Sequence, residues 1–400
     1  MTLDLRAPTP LLGGLSTAAF MRGHWQKRPL LVRQAFPGLV PPVTARELFA
    51  LAGRDDVESR LVTQGGPRGW QLRHGPLPRA AIPPARRPGW TLLVQGVDLH
   101  VEAAHRLLQQ FRWMPDARVD DLMVSYASEG GGVGAHVDSY DVFLLQLQGQ
   151  RRWRVGPVDD PACQPDLPVR LLSRFEPTED WVLDPGDMLY VPPGWGHDGV
   201  AQGGDCMTAS IGYRAPRGTE LARELLQRVL DDVEAPEGEP LYRDPAGSAT
   251  DQPARMPPAL ATFAHRAVDR LLRDRVALER ALGEVMSEPK PQVWFGEARQ
   301  GDPGDDDEDE AAAVDEANAW QPADGLALDR RTRMMYDDRH VFINGESFRA
   351  AGRDARLMRA LADARVLGAR ECAQLSDGAC DVVSDWISQG WAHPAGGIDA

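Results

Sequence analysis

A histidine and an aspartate two residues apart, His136 and Asp138, stand in GGGVGAHVDSYDVFLLQLQGQRRWRV (Gly130 to Val155). A second histidine, His197, follows 59 residues after Asp138 in DPGDMLYVPPGWGHDGV (Asp184 to Val200). Residues i and i+2 of a strand share a face, so an H-x-D pair on a strand offers an imidazole and a carboxylate side by side. Two imidazoles and one carboxylate on one side of a metal leave its other positions open, the donor set of non-haem Fe(II) sites that take up oxygen and a bidentate cosubstrate. An isolated H-x-D has little weight in a chain with nine histidines. Its setting adds weight: glycines before His136 permit close backbone approach, strand-like runs flank both ligand positions, and a Pro-Pro-Gly turn delivers His197. His24, His74, His100, His105, His265, His340 and His393 lack a carboxylate in such a setting and are assigned surface or packing roles.

An acidic cosubstrate also needs a cation. Arg151 lies 15 residues beyond His136, on the next strand-like run after QLQG. Alternation sets Arg151 and Trp153 on one side and Arg152 and Arg154 on the other, so one inward arginine among three is expected. A guanidinium there grips a carboxylate through two parallel hydrogen bonds. The plainer alternative is a solvated arginine face. Ser125 in MVSYAS adds a hydroxyl donor, and Ser210 in MTASIGY is a weaker candidate.

These side chains need a scaffold. From Asp121 onward, short runs rich in β-branched and aromatic residues (LMVSYA, DVFLLQLQ, RRWRVG, DWVLD, MLYVPP, MTASIGYR) alternate with Gly, Pro and Asp turns, which predicts a β-barrel or double-sheet jelly roll. Before it, Val43 to Ala52 and Val101 to Trp113 carry apolar residues at helical spacing. After Arg214 the strand texture stops: Thr219 to Val233 and Leu260 to Met286 are predicted helices, packed either on the barrel or on a second copy of the chain. Gly301 to Glu316 holds nine acidic and no basic residues, the composition of a solvated linker. Beyond it, strand-like RMMYD and HVFING precede helical Asp354 to Ala364 and Cys380 to Gln389, a small α+β module resembling a winged helix.

Composition sets the outer limits. The chain has 400 residues, 42% hydrophobic and 26% charged, with a net charge of -15. That excludes a basic nucleic-acid binder, a collagen-like chain and a wholly disordered one, and allows two or three domains. Setting aside the nine linker acids leaves -6, only mildly acidic. Four cysteines without C-x-x-C spacing argue against a structural zinc site or a disulfide framework. No apolar run of about 18 residues and no signal-like start is present, so a cytoplasmic, membrane-free protein is expected.

The motifs HWQKRPLL (His24 to Leu31), SRLV (Ser59 to Val62), DDLMVSY (Asp120 to Tyr126), GGGVGAHVDSYDVF, RRWRVG, PPGWGH, GYRAP (Gly212 to Pro216), WFGE (Trp294 to Glu297) and NGE (Asn344 to Glu346) span nearly the whole chain. Together they resemble the cupin-fold, JmjC-type ribosomal oxygenases of bacteria, which use Fe(II) and 2-oxoglutarate. The resemblance implies iron ligation by His136, Asp138 and His197 and 2-oxoglutarate held by Arg151 and Ser125. Oxygen and 2-oxoglutarate would be consumed, yielding succinate and carbon dioxide, while an arginine β-carbon in the sixteenth large-subunit ribosomal protein is hydroxylated. It also implies an α+β architecture: a double-stranded β-helix (jelly-roll, cupin, JmjC) catalytic domain over 1–216, with core strands about 90–216, a helical dimerisation region over 217–300, an acidic linker over 301–319 and a winged-helix-like domain over 320–400. The implied assembly is a homodimer, and nucleic acid is not a primary ligand. An arginine substrate calls for carboxylates and aromatic surface, so Asp120, Asp121, Tyr140 and Asp141 are candidate substrate contacts, each with an alternative role in starting a strand or holding the metal loop. Ala127, Ser128 and Glu129 depart from the Ser-Val-Pro-like residues common in relatives, and Glu129 is expected near the mouth of the site. Two other functions compete: histidyl hydroxylation of another ribosomal protein, and a non-catalytic cupin and winged-helix regulator, against which the net charge and the complete triad argue.

Overall fold

Ten antiparallel strands form the sheet of the first half of the chain: four lie ahead of the strand texture expected from Asp121 onward, β1 (Leu30–Val32), β2 (Ser59–Thr63), β3 (Gln71–His74) and β4 (Trp90–Val94), and six carry that texture, β5 (Val119–Ala127), β6 (His136–Val137), β7 (Val142–Pro157), β8 (Glu179–Leu183), β9 (Met188–Val191) and β10 (Trp195–Tyr213). The computed structural model describes residues 4–65, 69–232, 241–245, 247, 249, 251–295 and 320–396. The acidic run and its expected linker lie outside them. The described residues fall into two units, Met1–Ala215 with Pro291–Trp294, and Pro216–Lys290 with Phe295–Ala400.

In the first unit, β7 and β10 are long enough to serve two layers. Their inner ends, Val142–Gln148 and Met207–Gly212, pair with each other within the order β1-β9-β7-β10-β5-β4-β2-β3. Their outer ends, Arg151–Pro157 and Trp195–Ala201, pair with each other and carry β8 on one side and β6 on the other. The register shifts between Gln202 and Thr208 mark the change from one layer to the next, the use proteins make of bulges to bend a strand. The result is the double-layered jelly roll expected from the strand spacing.

Alternation then sorts the side chains of β5. Leu122, Val124 and Tyr126 face a core shared with Phe20, Leu48, Leu108 and Phe111 from the helices that flank the sheet, while Ser125 faces the space between the layers. Those helices are α1 (Thr17–Gly23), α2 (Ala45–Leu51), α3 (Val97–His100) and α4 (Glu102–Gln109). Thr44 and Glu47 close a capping box on α2, which satisfies two orphan N–H groups at its start.

In the second unit, α5 (Gly218–Asp231) is followed by α6 (Pro258–Arg273) and α7 (Arg275–Ser287). The single tract expected over Leu260 to Met286 is thus broken at Asp274. The physical reason is local: the Asp274 carboxylate accepts the Ala277 N–H at 3.0 Å, so the side chain starts a new helix instead of continuing the old one. The C-terminal part holds β11 (Leu326–Leu328), β12 (Met334–Tyr336), β13 (Val341–Ile343), β14 (Glu346–Phe348), α8 (Gly352–Ala364), β15 (Val366–Leu367), α9 (Ala369–Cys372), α10 (Asp377–Ser388) and β16 (Ala392–His393). Helix α7 lies on the β12–β13–β14 meander: Ser347 donates to Glu284 at 2.6 Å, and the Gly345 N–H donates to Ser287 at 3.2 Å. No helix among the described residues is long and apolar enough to cross a membrane.

Candidate active site

The pairing of β6 with β10 sets His136 directly opposite His197, so two histidines 61 positions apart become cross-strand neighbours, with ring centroids 4.2 Å apart. Asp138 follows the two-residue strand β6. Its Oδ1 lies 3.9 Å from His136 Nε2 and its Oδ2 3.5 Å from His197 Nε2. One donor atom from each of the three falls within 4.8 Å of the others, and among the described residues this is the group of such donors able to hold a metal. Each histidine turns Nδ1 to a backbone carbonyl, His136 to Gly134 at 2.9 Å and His197 to Trp195 at 3.3 Å. Carbonyls only accept, so Nδ1 carries the proton and Nε2 keeps its lone pair for a metal. Burial, reinforced by the neighbouring His197, pushes His136 down to about 4, leaving it neutral and able to ligate near pH 7. Burial pushes Asp138 up, but the His197 imidazole beside it, with His136 and the Tyr140 hydroxyl, holds it below the ordinary aspartate range.

The backbone around the ligands is tight, as the glycine run suggests. Gly134 has φ of +79°, and a Cβ there would sit 2.5 Å from Leu171 Cδ2. At Gly199 a Cβ would meet the Trp153 ring at 2.6 Å. The Pro192-Pro193-Gly194 turn joins β9 to β10, and the Gly194 N–H donates to the Asp138 carbonyl at 3.1 Å. One turn therefore delivers His197 and pins Asp138.

Arg151 points between the layers and is 3% exposed, while Arg152 pairs outward with Asp180 and Arg154 with Asp198. The alternation expected from RRWRV holds. The Arg151 guanidinium donates from Nη1 to Ser125 Oγ at 3.0 Å and Thr208 Oγ1 at 3.4 Å, and from Nη2 to the Gly199 carbonyl at 3.2 Å. It also lies 5.0 Å from the centre of a Trp153 ring. Its Nε has no partner, and no carboxylate among the described residues is within ion-pair distance. Burial lowers its pKa, opposed by the charges of Cys206 and Asp198. A buried cation without a counter-ion costs several kcal/mol, so the pocket suits an acidic guest. Thr208 in turn donates to Gln146 Oε1 at 3.0 Å. Neither Thr208 nor Gln146 was expected from the sequence. Ser210, the residue that was, lies two places along β10 on the Thr208 face and makes no contact with Arg151.

The four candidate substrate contacts separate. Tyr140 is 39% exposed beside the triad, its hydroxyl on Asp138, and burial together with the Asp138 and Asp121 charges raises its pKa. Asp120 is half-exposed, with its carboxylate 3.5 Å from Arg214. Asp121 is buried and accepts the Gly96 N–H at 3.0 Å, so it holds the turn that leads into α3 instead of starting a strand. Asp141 has no exposed surface: it accepts from Tyr190 at 2.6 Å and Gln26 at 3.0 Å, with Arg118 at 3.6 Å. These two carboxylates are closed off from a substrate because the chain's own donors surround them. Gln26 also donates its N–H to Tyr190 Oη at 2.8 Å, so the HWQ motif clamps the metal loop from outside the barrel. Tyr190→Phe is expected to leave Asp141 short of a donor and cost about 1–3 kcal/mol. Urea unfolding measures it, and an unchanged midpoint would refute the clamp. Glu129 accepts the Gly204 N–H at the bend of β10. Among the histidines set aside, His340 does have a carboxylate partner, Asp337 at 3.4 Å, but it lies buried in the turn between β12 and β13 with no third donor among the described residues.

Comparison with known proteins gives two family matches and several similar relatives. The JmjC domain family matches residues 106–221, and the ROXA-like winged helix family matches residues 270–393. The chain is 38% identical over 286 residues to the ribosomal protein uL16 3-hydroxylase of Escherichia coli, covering 70% of this chain and 69% of that protein. The X-ray structure of Escherichia coli YcfD superposes with a TM-score of 0.77 at 30% identity, covering 95% of this chain and 98% of the other. The structure of the same ribosomal oxygenase in complex with cobalt and 2-oxoglutarate gives a TM-score of 0.75 at 29% identity, covering 96% and 99%.

Proposed function

This chain belongs to the JmjC-type ribosomal oxygenases, and from that premise we propose that it hydroxylates the β-carbon of an arginine in the large-subunit ribosomal protein uL16, using Fe(II), 2-oxoglutarate and O2. The observation that carries the reading is the His136–Asp138–His197 donor set beside a buried guanidinium without a counter-ion. The two neutral imidazole nitrogens and the single carboxylate fit Fe(II) and leave room for further ligands. Bound there, iron supplies the redox chemistry by which oxygen is reduced, 2-oxoglutarate is decarboxylated to succinate and a C–H bond is hydroxylated.

The chain's own residues supply binding and orientation. The Gly134 and Trp195 carbonyls fix the imidazole tautomers, and Tyr140 and the Gly194 N–H hold Asp138 in place. Arg151 holds the distal carboxylate of 2-oxoglutarate. Burial of that pocket excludes water from the charge pair and strengthens it. Tyr140 and Asp120, the two candidates left accessible, receive the substrate arginine: a carboxylate attracts its guanidinium and an aromatic ring stacks on it. Tyr140 lies beside the triad with its hydroxyl on Asp138, the Asp120 charge reaches Tyr140, and both side chains are partly exposed, which supports this assignment.

Leu226 and Leu230 on α5 and Phe263, Val268 and Leu272 on α6 are exposed apolar residues, and we assign these surfaces to a second copy of the chain, making the enzyme a homodimer. The enzyme works in the cytoplasm, where its substrate is made. The decisive test is anaerobic loading with Fe(II), then oxygen and 2-oxoglutarate with purified ribosomal proteins and mass spectrometry. One added oxygen atom on an arginine of uL16 is expected. Addition to a histidine of another ribosomal protein would shift the reading to a histidyl hydroxylase, and absence of succinate formation with any of them would favour the non-catalytic regulator.

A further inference from the structure

We propose that Gln146, acting through Thr208, is a positioning residue that fixes the hydrogen-bond polarity around Arg151, so that one edge of the guanidinium is kept free for a carboxylate. The inference rests on reading the pocket as a 2-oxoglutarate site and adds the residues that prepare its anchor.

The polarity follows from counting hydrogens outward from the backbone. Gln146 is fully buried, and its Nε2 lies 2.9 Å from the Gln148 carbonyl and 3.1 Å from the Gly149 carbonyl. Carbonyl oxygens only accept, so the amide nitrogen belongs on that side and Oε1 must face the other way. Oε1 then takes the hydroxyl hydrogen of Thr208 at 3.0 Å. A threonine has one such hydrogen, and with it spent only lone pairs remain for Arg151 Nη1 at 3.4 Å. Ser125 repeats the pattern: its hydrogen goes to the Thr208 carbonyl at 3.4 Å, and its oxygen accepts from Nη1 at 3.0 Å.

Every neighbour that touches the guanidinium by hydrogen bond is therefore an acceptor. Both Nη1 hydrogens and one Nη2 hydrogen are taken, the last by the Gly199 carbonyl. Nε–H is without an acceptor, and Nη2 has one acceptor, the Gly199 carbonyl, for its two hydrogens, among the described residues. Nε and Nη2 flank one edge of the planar group, and two parallel N–H donors on one edge are what a carboxylate needs for a bidentate grip. Ser125, expected from the sequence to donate to the cosubstrate, acts instead as part of the mount, since its hydrogen is already used.

The test measures 2-oxoglutarate binding by calorimetry, without oxygen, to protein loaded with redox-inert Mn(II), alongside Mn(II) affinity alone. Thr208→Val keeps the shape and removes the hydroxyl; it is expected to weaken 2-oxoglutarate about tenfold and leave Mn(II) affinity unchanged, since a hydrogen bond to a charged group is worth about one such factor. Thr208→Ser restores the hydroxyl and is expected to bind within about twofold of the parent. Gln146→Leu is expected to match Thr208→Val, and the double variant to be no weaker than either single one, because the two residues act in series. Gln146→Glu, which cannot donate to the two carbonyls and brings a competing anion, is expected to be the weakest binder. Parent-like binding by Thr208→Val, equal loss of Mn(II), or additive effects in the double variant would overturn the proposal. Failure of the parent protein to bind 2-oxoglutarate would instead overturn the cosubstrate reading on which it rests.

Discussion

Replacing His136 with alanine is expected to abolish turnover and to weaken Fe(II) binding by more than about a hundredfold. Losing an outer hydrogen-bond partner of a metal ligand commonly costs about 10–100-fold in affinity or activity, and His136 is itself a ligand. Its removal leaves two donors, Asp138 Oδ2 and His197 Nε2, 3.5 Å apart. The fold should survive, because His136 sits on a two-residue strand, is 23% exposed in its side chain and contributes to none of the buried clusters. Metal titration with Mn(II) separates loss of the site from loss of the protein. Hydroxylation at the parent rate by His136→Ala would refute the ligand assignment.

Replacing Arg151 with methionine is expected to raise the 2-oxoglutarate requirement by roughly 30- to several-thousand-fold, the equivalent of about 2–5 kcal/mol for truncating one partner of a buried charge pair. The sign of the stability change distinguishes this from simple damage. In the ligand-free protein Arg151 is a buried cation held by neutral acceptors alone, so an unbranched apolar replacement relieves a desolvation cost instead of stranding a counter-ion. The ligand-free variant should therefore unfold at the parent temperature or above it. The parent, in contrast, should gain thermal stability with added 2-oxoglutarate, as any protein does with a ligand that binds only its native state, and the variant should lose that gain. An unchanged 2-oxoglutarate requirement would move the anchor to another residue.

Much of the site is written locally in the chain. H-x-D, the Pro-Pro-Gly turn and the R-R-W-R alternation each depend on neighbours within a few residues, and strand periodicity alone sets Arg151 opposite Arg152 and Arg154; that Arg151 is the inward one is read from the fold. The HWQKRP motif was recognisable only as a resemblance; its purpose, Trp25 stacked on Tyr190 and Gln26 bonded to Asp141, appears once the strands are paired. Of the four acidic and aromatic candidates, Asp121 and Asp141 were attractive because their residue type suits an arginine. Residue type says nothing of whether the chain's own donors reach them first.

The sequence by itself determined the three ligand types, their spacing, the jelly-roll texture and the opposition of Arg151 to Arg152 and Arg154, because each rests on alternation or a tight turn within one stretch of chain. Only the tertiary structure decided that His136 faces His197, that Thr208 faces Ser125 and that Gln146 stands behind them. Those relations belong to register between strands about 60 to 80 positions apart. A slip of one residue between β5 and β10 would turn the Ser125 hydroxyl to the opposite face from Thr208 and Arg151 without changing the local pattern of either strand.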